Sequence, residues 1–441
     1  FMKSRHGSSI EVEEAIKSQQ GFNVKSKPKE QKLFVYLTCI YIFSWYLQIG
    51  LRVDILGAIR FEFILGAFLS VCAIVKLLNE PQPTRLKGPV IFFFLVLGFY
   101  TIFSYDRSVS WDIFYNRVIK FSMLAAFLAA FVRTEWALKM VVAAFLLAML
   151  KMGQEGFMGW ISGGMIWQNQ GIPRLHGVTP LYRHPNSYSG MAVGCLPFIF
   201  YLYPIVNRWQ KSLLALLLIF SLIIIVFTGS RTGYVATFLL AAYFWREKLK
   251  HHKLKYIFIG IALIFVTYIS LPDAYLGRIE SIFTLEEAEG SSSDARIRII
   301  KDAISVFINH PWGVGVAAFP SVRMEMFNKF QDTHNLYLEL LTNMSLLGLI
   351  SFSVLIYRIV IENKKIINNE WSSPFIIALS RSIIAFVYAR LFLGVFGMDT
   401  YEIYWWFALG LTIATLRAST FRNEDKKSLF KKKLSYKKQQ L

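Results

Sequence analysis

Thr333-His334-Asn335-Leu336-Tyr337-Leu338-Glu339 stands where a long polar segment, 273–333, gives way to a long apolar one, 334–361. The apolar side of this junction has the length that decides the fold, because crossing ~30 Å of hydrocarbon at 1.5 Å per residue takes roughly 17–25 residues. Similar blocks recur along the 441 residues, of which 55% are hydrophobic, 16% aromatic and only 17% charged. Working outward from 334–361, the candidate spans are 33–51, 61–78, 89–105, 114–132, 136–152, 186–206, 210–228, 231–245, 254–272, 373–397 and 400–417. They predict an all-α integral membrane protein with about twelve transmembrane helices. Continuous apolar runs exclude a β-barrel, whose strands alternate. At the junction itself, hydrocarbon cannot pair an imidazole, an amide and a carboxylate. They must face water, protein or a substrate.

The formal net charge of +20 does not indicate nucleic acid, given where it lies. Lysines and arginines gather in the N-terminal tail, at Arg85 and Lys87, in 246–255, at Arg358, Lys364 and Lys365, and in 426–438. With the N-terminus inside, all of these fall on one side, so both termini are expected in the cytoplasm. The basic tails then act as topology signals and as contacts for anionic membrane lipids. The expected organisation is a tail 1–32, spans over 33–272 with an outer loop 153–185, a large outer segment 273–333, spans over 334–418 and a basic tail 419–441. The charged first thirty residues lead into a first span that is expected to target the chain without cleavage. Cys39, Cys72 and Cys195 all fall inside spans and are expected as apolar fillers.

The segment 273–333 carries nine acidic and six basic residues and is long enough to hold helices. Asp294 is placed to cap a helix over 295–309, with Ile297, Ile300, Ile304 and Phe307 forming one apolar face. That helix would lie along the membrane or on the span tops. Pro311 ends it, and Gly313-Val314-Gly315 supplies a turn. Glu286–Ser293 reads as a flexible acidic loop.

Four arginines fall at or near the outer side: Arg174, Arg231, Arg296 and Arg390. Arg231 lies in Thr228-Gly229-Ser230-Arg231-Thr232-Gly233, a short polar interruption between two spans. A planar guanidinium there suits an anion, since its fork grips phosphate oxygens in pairs. The alternative is a side chain that snorkels to the headgroups. Arg390 sits inside a span, where a guanidinium costs at least ~2.5 kcal/mol on insertion scales and calls for a partner or a wet cavity; Arg381, Arg117 and Lys120 raise the same question. His334 can accept a proton from a hydroxyl when neutral, the role of a general base. Glu339, five residues on, lies too far round a helix to be its obvious partner. His176, His184 and His334 lack a metal-ligand spacing, and no phosphate-cradling glycine loop appears, so neither metal nor nucleotide cofactor is expected.

In order, Arg174-Leu175-His176-Gly177 with Pro185-Asn186, then Thr-Gly-Ser-Arg-Thr-Gly around Arg231, then Arg296 with His310-Pro311-Trp312-Gly313-Val314-Gly315, then Thr333-His334-Asn335 resemble the O-antigen ligase and polymerase superfamily. The likeness covers roughly 170–350 by motif and the whole chain by topology. It implies a C-type glycosyltransferase-like fold in the bacterial inner membrane, with both termini cytoplasmic and a site on the periplasmic or extracellular face. It implies an inverting, metal-independent transfer of a glycan from undecaprenyl diphosphate to an acceptor hydroxyl. By the resemblance Arg174, Arg231 and Arg296 hold the diphosphate and His334 is the catalytic base; Asn186, Asn335 and Arg390 are candidate substrate or acceptor contacts. The acceptor is lipid A–core for a ligase, or a second lipid-linked glycan for a polymerase of O-antigen or exopolysaccharide. In ligases the histidine motif continues to Gly-x-x-Gly, whereas Ser345-Leu346-Leu347-Gly348 keeps only the second glycine, which leaves the polymerase as a rival. A lipid-linked glycan transporter is a third reading. It is disfavoured because the polar residues cluster on outer loops and not at the bilayer midplane.

Overall fold

The computed structural model describes residues 31–80, 85–169, 171–247, 272–284, 292–397 and 400–420. The chain divides into a unit Phe1–Lys32, of which only Gln31 and Lys32 are described, and a unit Leu33–Leu441. The helices of the first half are α1 (Lys32–Leu47), α2 (Phe61–Asn79), α3 (Lys87–Ile102), α4 (Arg107–Phe131, with one π-turn at Phe114–Ile119) and α5 (Glu135–Ser162). A hairpin of β1 (Ile166–Asn169) and β2 (Ile172–Leu175) follows, antiparallel, with Trp167 opposite Arg174. Then come α6 (Pro185–Leu202), α7 (Arg208–Phe227), α8 (231–247), α9 (Asp273–Thr284), α10 (Ser292–Asn309), α11 (Phe319–Phe327), α12 (Leu336–Ile367), α13 (Pro374–Leu393) and α14 (403–420). Seven described helices are long and apolar enough to cross a membrane, and α1 and α3 are apolar but shorter.

Local chemistry explains these boundaries. Thr134 caps α5 by accepting from Ala137 N at 3.2 Å, and Asn207 and Gln210 form a reciprocal capping box on α7. Ser373 caps α13 with Pro374 at its first position. Helix α6 is the hub: it is buried along nearly its whole length and packs against α7 and α13. Phe198 meets Phe145 and Phe386 there at ring separations of 5.6 and 5.8 Å. By contrast α2 leaves Phe63, Ile64, Phe68 and Val71 exposed, as a helix does whose outer face meets lipid tails. Cys39 and Cys195 are buried and Cys72 half-buried, and none is paired with another.

Several expectations need correction. The segment 153–185 does not open as a loop: α5 continues to Ser162, because Gly153, Gly156 and Gly159 lie on a close-packed face against Phe220, Tyr188 and Met165. Within it the hairpin adds a small β element to an otherwise helical protein. Helix α10 starts at Ser292, so Asp294 is not its N-cap. Its buried face is Ile299, Ala303 and Val306, packed with Val314, Ala318, Phe319 and Val322, while Ile297, Ile300 and Ile304 are exposed. The loop read at Glu286–Ser293 overlaps the start of α10 at Ser292; its residues 286–291, the span at 254–271, the tail 421–441 and the N-terminal thirty residues lie outside the described residues.

The long helix α12 is broken. Met344 (φ −131°, ψ 16°) and Ser345 (φ 56°, ψ −163°) leave helical geometry, so the segment is two helices joined at a kink. The break frees carbonyls that would otherwise be bonded within the helix, and the turn after α10 takes them: Val314 N donates to Thr342 O (3.0 Å) and Gly315 N to Asn343 O (2.9 Å). Ser345 Oγ donates to Pro311 O at 2.6 Å, and Asn343 Oδ1 accepts from Phe319 N at 3.2 Å. The strand-like stretch 314–316 is also bonded to Tyr105 N, Tyr100 O and Ser110 Oγ. Gly313 and Gly315 have φ of 86° and 110°, and a side chain at 315 would overlap Ser104.

Candidate active site

The site forms at the end of the bundle where α5, α7 and α13 finish and α6, α8 and α12 begin. His334 precedes α12 by two residues and has φ 48°, a left-handed conformation uncommon outside glycine. Asn335 is the N-cap of α12: its Oδ1 accepts from Tyr337 N (2.9 Å) and Leu338 N (3.0 Å), and its Nδ2 donates to Val395 O (2.9 Å). Both ends of its amide are therefore used in holding α12 to the end of α13. Tyr337 repeats the tie through its hydroxyl to Leu391 O at 3.0 Å. Glu339 is buried and turns away from His334, accepting from Thr400 N (3.1 Å) and Thr400 Oγ1 (2.7 Å).

His334 is half-buried. Burial, then the fields of Arg296 and Arg323, push its pKa below the usual histidine range. Arg323 is 2% exposed and was not singled out in the sequence. Its Nε and Nη2 donate to Asp302 Oδ2 at 3.0 and 2.8 Å, and its Nη1 donates to Gln331 O and Oε1, both at 3.4 Å. That contact orients the Gln331 amide, so its NH2 faces His334 Nε2 at 3.1 Å. His334 then accepts through Nε2 and carries its proton on Nδ1, an assignment made from the bonding network. Asp302 and Arg323 come from α10 and α11, and neither lies in a motif; only burial in the folded chain distinguishes Arg323.

Arg174 lies on β2 and is 1% exposed. Its Nε donates to Thr228 O (2.7 Å) and its Nη2 to Asn186 Oδ1 (2.7 Å). The first bond fixes the hairpin to the turn that carries Arg231, and the second ties it to the first turn of α6. At that turn Ser230 Oγ lies 3.1 Å from Thr232 Oγ1 and accepts from Gly233 N at 3.2 Å, placing Arg231 at the first position of α8. His184 stands beside both halves of the site. Much of its ring is open, yet partial desolvation, then Arg174 and His334, lower its pKa. Trp167 covers His176 and His184, at centroid separations of 5.1 and 6.4 Å.

Arg296 lies over the Phe396 ring, 5.7 Å from its centroid. Arg390 is buried beneath this layer, 4.2 Å from the centroid of Tyr404 and 5.3 Å from that of Phe386. Arg117 pairs with Glu402 at 2.7 Å. Lys120 faces outward, donating to Asn116 Oδ1 at 2.6 Å and lying over Tyr115, so it belongs to a surface. Asp332 is half-buried, and burial raises its pKa against the opposing pull of Arg117. Among the described residues no three His, Cys, Asp or Glu side chains are grouped as a metal ion would require.

Helices of membrane-crossing length, with buried and half-buried arginines and a histidine of positive φ at one end of the bundle, mark a helical membrane protein. Residues 216–353 match the family described as O-antigen ligase, which supports a place in the O-antigen ligase superfamily and membrane glycan transfer of the ligase or polymerase type. No curated protein matches the chain. The matched region includes Arg231, Arg296, Arg323, His334 and the break at Ser345; Arg174, Asn186 and Arg390 lie outside it.

Proposed function

We propose that this chain is an inverting glycosyltransferase of the ligase type, with lipid A–core as acceptor. It moves a glycan from undecaprenyl diphosphate to an acceptor hydroxyl on the periplasmic or extracellular face of the inner membrane. The observation that carries this reading is the environment of His334: an imidazole kept neutral beside Arg296 and Arg323, with its Nε2 lone pair presented, and with His184 feeling both His334 and Arg174. A base surrounded by cations suits a reaction in which a proton is removed beside a developing anion.

The chemistry follows from the bonds involved. A sugar on diphosphate already carries a good leaving group. The acceptor hydroxyl replaces the Gln331 amide at His334 Nε2 and gives up its proton there. Its oxygen attacks the anomeric carbon from the face opposite the diphosphate. The carbon–oxygen bond to the diphosphate breaks, its electron pair stays with the phosphate, and the anomeric configuration inverts. Arg174, Arg231 and Arg296 supply fixed positive charge for that leaving group in a low-dielectric setting. Base catalysis of this kind is worth typically ~10²–10⁴-fold.

The test uses purified protein, a defined undecaprenyl-diphosphate glycan, and lipid A–core or a second lipid-linked glycan offered side by side. Transfer to lipid A–core is expected, to survive excess chelator, and to drop by ~10²-fold or more in His334→Ala. Lengthening of the lipid-linked chain alone would replace the ligase by a polymerase. Transbilayer movement of the donor without transfer would replace the enzyme by a transporter.

A further inference from the structure

Below the cationic layer lies a separate cavity of about 130 Å³, bounded by the start of α6, the start of α8, the end of α13 and the chain just before α14. Asn186, Thr232, Arg390, Phe396, Glu402 and Tyr404 line it. Arg390 is 9% exposed, and among the described residues no acceptor bonds its buried Nε. The nearest carboxylate of the cavity wall, Glu402, is bonded to Arg117 at 2.7 Å.

The described surroundings hold this guanidinium by its faces and leave its Nε without an acceptor. Tyr404 and Phe386 contact it through ring faces, which uses the π-surface of the cation and none of its in-plane N–H donors. On the other flank α6 presents Gly190 and Gly194; a Cβ at 194 would lie 3.0 Å from Nη2 and one at 190 would lie 3.5 Å from Nη1. The two glycines sit one turn apart and make room for the planar group. A cation at this depth, stacked on its faces and with its Nε unbonded among the described residues, is arranged for an anion that enters from the cavity.

We propose that this cavity is a second anion subsite, in which Arg390 binds a phosphoryl oxygen of the donor diphosphate. Glu402 and Asn186 on the same wall are acceptor groups for hydroxyls of the attached sugar, so the cavity matches a sugar–phosphate junction better than a bare dianion. Phe396 is shared between the two: it lines the cavity, and Arg296 lies over its ring. The diphosphate would then be gripped at two levels, by Arg296 and its neighbours above and by Arg390 below. This rests on the diphosphate donor of the proposed function.

The experiment measures inorganic pyrophosphate binding to the purified full chain in detergent, alongside the thermal unfolding midpoint. Wild type is expected to bind. Arg390→Gln should weaken binding at least tenfold with the unfolding midpoint retained, and Arg390→Lys should recover only part of it. Thr232→Leu fills the cavity and leaves the cation in place; it should weaken binding as well, which tests the site even if Arg390→Gln fails to fold. Wild-type affinity in Thr232→Leu, or in a folded Arg390→Gln, overturns this subsite while leaving the donor reading intact. Absence of binding in wild type removes both. Loss in Arg296→Gln together with unchanged binding in the two cavity variants assigns the anion to the upper layer alone and also overturns the subsite.

Discussion

At the residue scale the arrangement turns on which His334 nitrogen holds the lone pair. Gln331 presents its amide NH2 to Nε2 only because Arg323 takes the other end of that amide. Gln331→Glu, by offering an acceptor in place of a donor, should shift the proton to Nε2 and lower kcat with little change in donor KM; equal losses in both would mean Gln331 acts on binding. The pH profile has a fixed sign. Burial and the two arginines favour the neutral ring, so His334 stays unprotonated to below the usual histidine range and activity should fall only on the acid side of that range. Arg296→Gln removes one of the depressing charges and should move the acid limb upward; a limb that stays put would separate His334 from the profile. Arg323→Met leaves Asp302 without its cation. Breaking such a buried pair costs about 3–5 kcal/mol, and a clear drop in the unfolding midpoint is expected. His334, Arg174 and Arg231 were legible in the sequence because each stands out from apolar or glycine-rich surroundings. Arg323 was not, since its partners Asp302 and Gln331 approach from other turns and no local pattern sets it apart from Arg298.

At the element scale the decisive feature is the break in α12, which the sequence does not announce because Met344 and Ser345 are ordinary residues for a helix. The Gly-x-x-Gly of the ligases that the sequence resembles would put glycine at 345, where the backbone takes φ 56° and ψ −163°, a region that only glycine occupies freely. Ser345 supplies the same backbone at a cost of about 1–3 kcal/mol, partly offset by its bond to Pro311 O, worth about 0.5–1.5 kcal/mol net. Ser345→Gly should therefore fold to the same structure with equal or higher stability, by up to about 2 kcal/mol. A marked loss of stability would show that the hydroxyl, and not the backbone, governs the site. The partner of the break is the turn His310–Gly315, read from sequence as a helix stop and a turn but not as a partner of α12. It feeds two N–H groups to the freed carbonyls of α12 and so fixes α10, with Arg296, relative to His334. Gly315→Val cannot keep φ 110° and collides with Ser104, and it is expected to lose folded protein in detergent. The spacing that suggested one apolar face on α10 selected Ile297, Ile300, Ile304 and Phe307, of which Phe307 is half-buried and the others exposed, yet the buried face is Ile299, Ala303 and Val306. Two apolar faces are present, and periodicity alone could not choose the one that meets α11.

At the scale of the whole molecule, hydropathy made the spans readable, and capping residues such as Thr134, Asn207 and Ser373 sharpen several of their boundaries. Convergence was not readable, because Arg174, Arg296, His334 and Arg390 come from four elements joined only by tertiary bonds. Sidedness links the two. All the site residues lie at one end of the bundle, whereas the connection between α6 and α7 lies at the other, with Trp209 83% exposed there. Trp312, beside the α12 break, is 84% exposed at the site end. If lysine and arginine asymmetry sets the orientation, Trp312 faces the outside and Trp209 the cytoplasm. The three native cysteines are buried or half-buried within the bundle, so single cysteines at these two positions report orientation against a low background. In intact cells whose outer membrane has been permeabilised, a membrane-impermeant maleimide should label Trp312→Cys and spare Trp209→Cys, and disruption of the inner membrane should expose the second. The reverse pattern would put His334 on the cytoplasmic side. A lipid-linked donor displayed on the outer leaflet would then be out of reach, and the transfer proposed for this protein would have to use a donor on the inner leaflet.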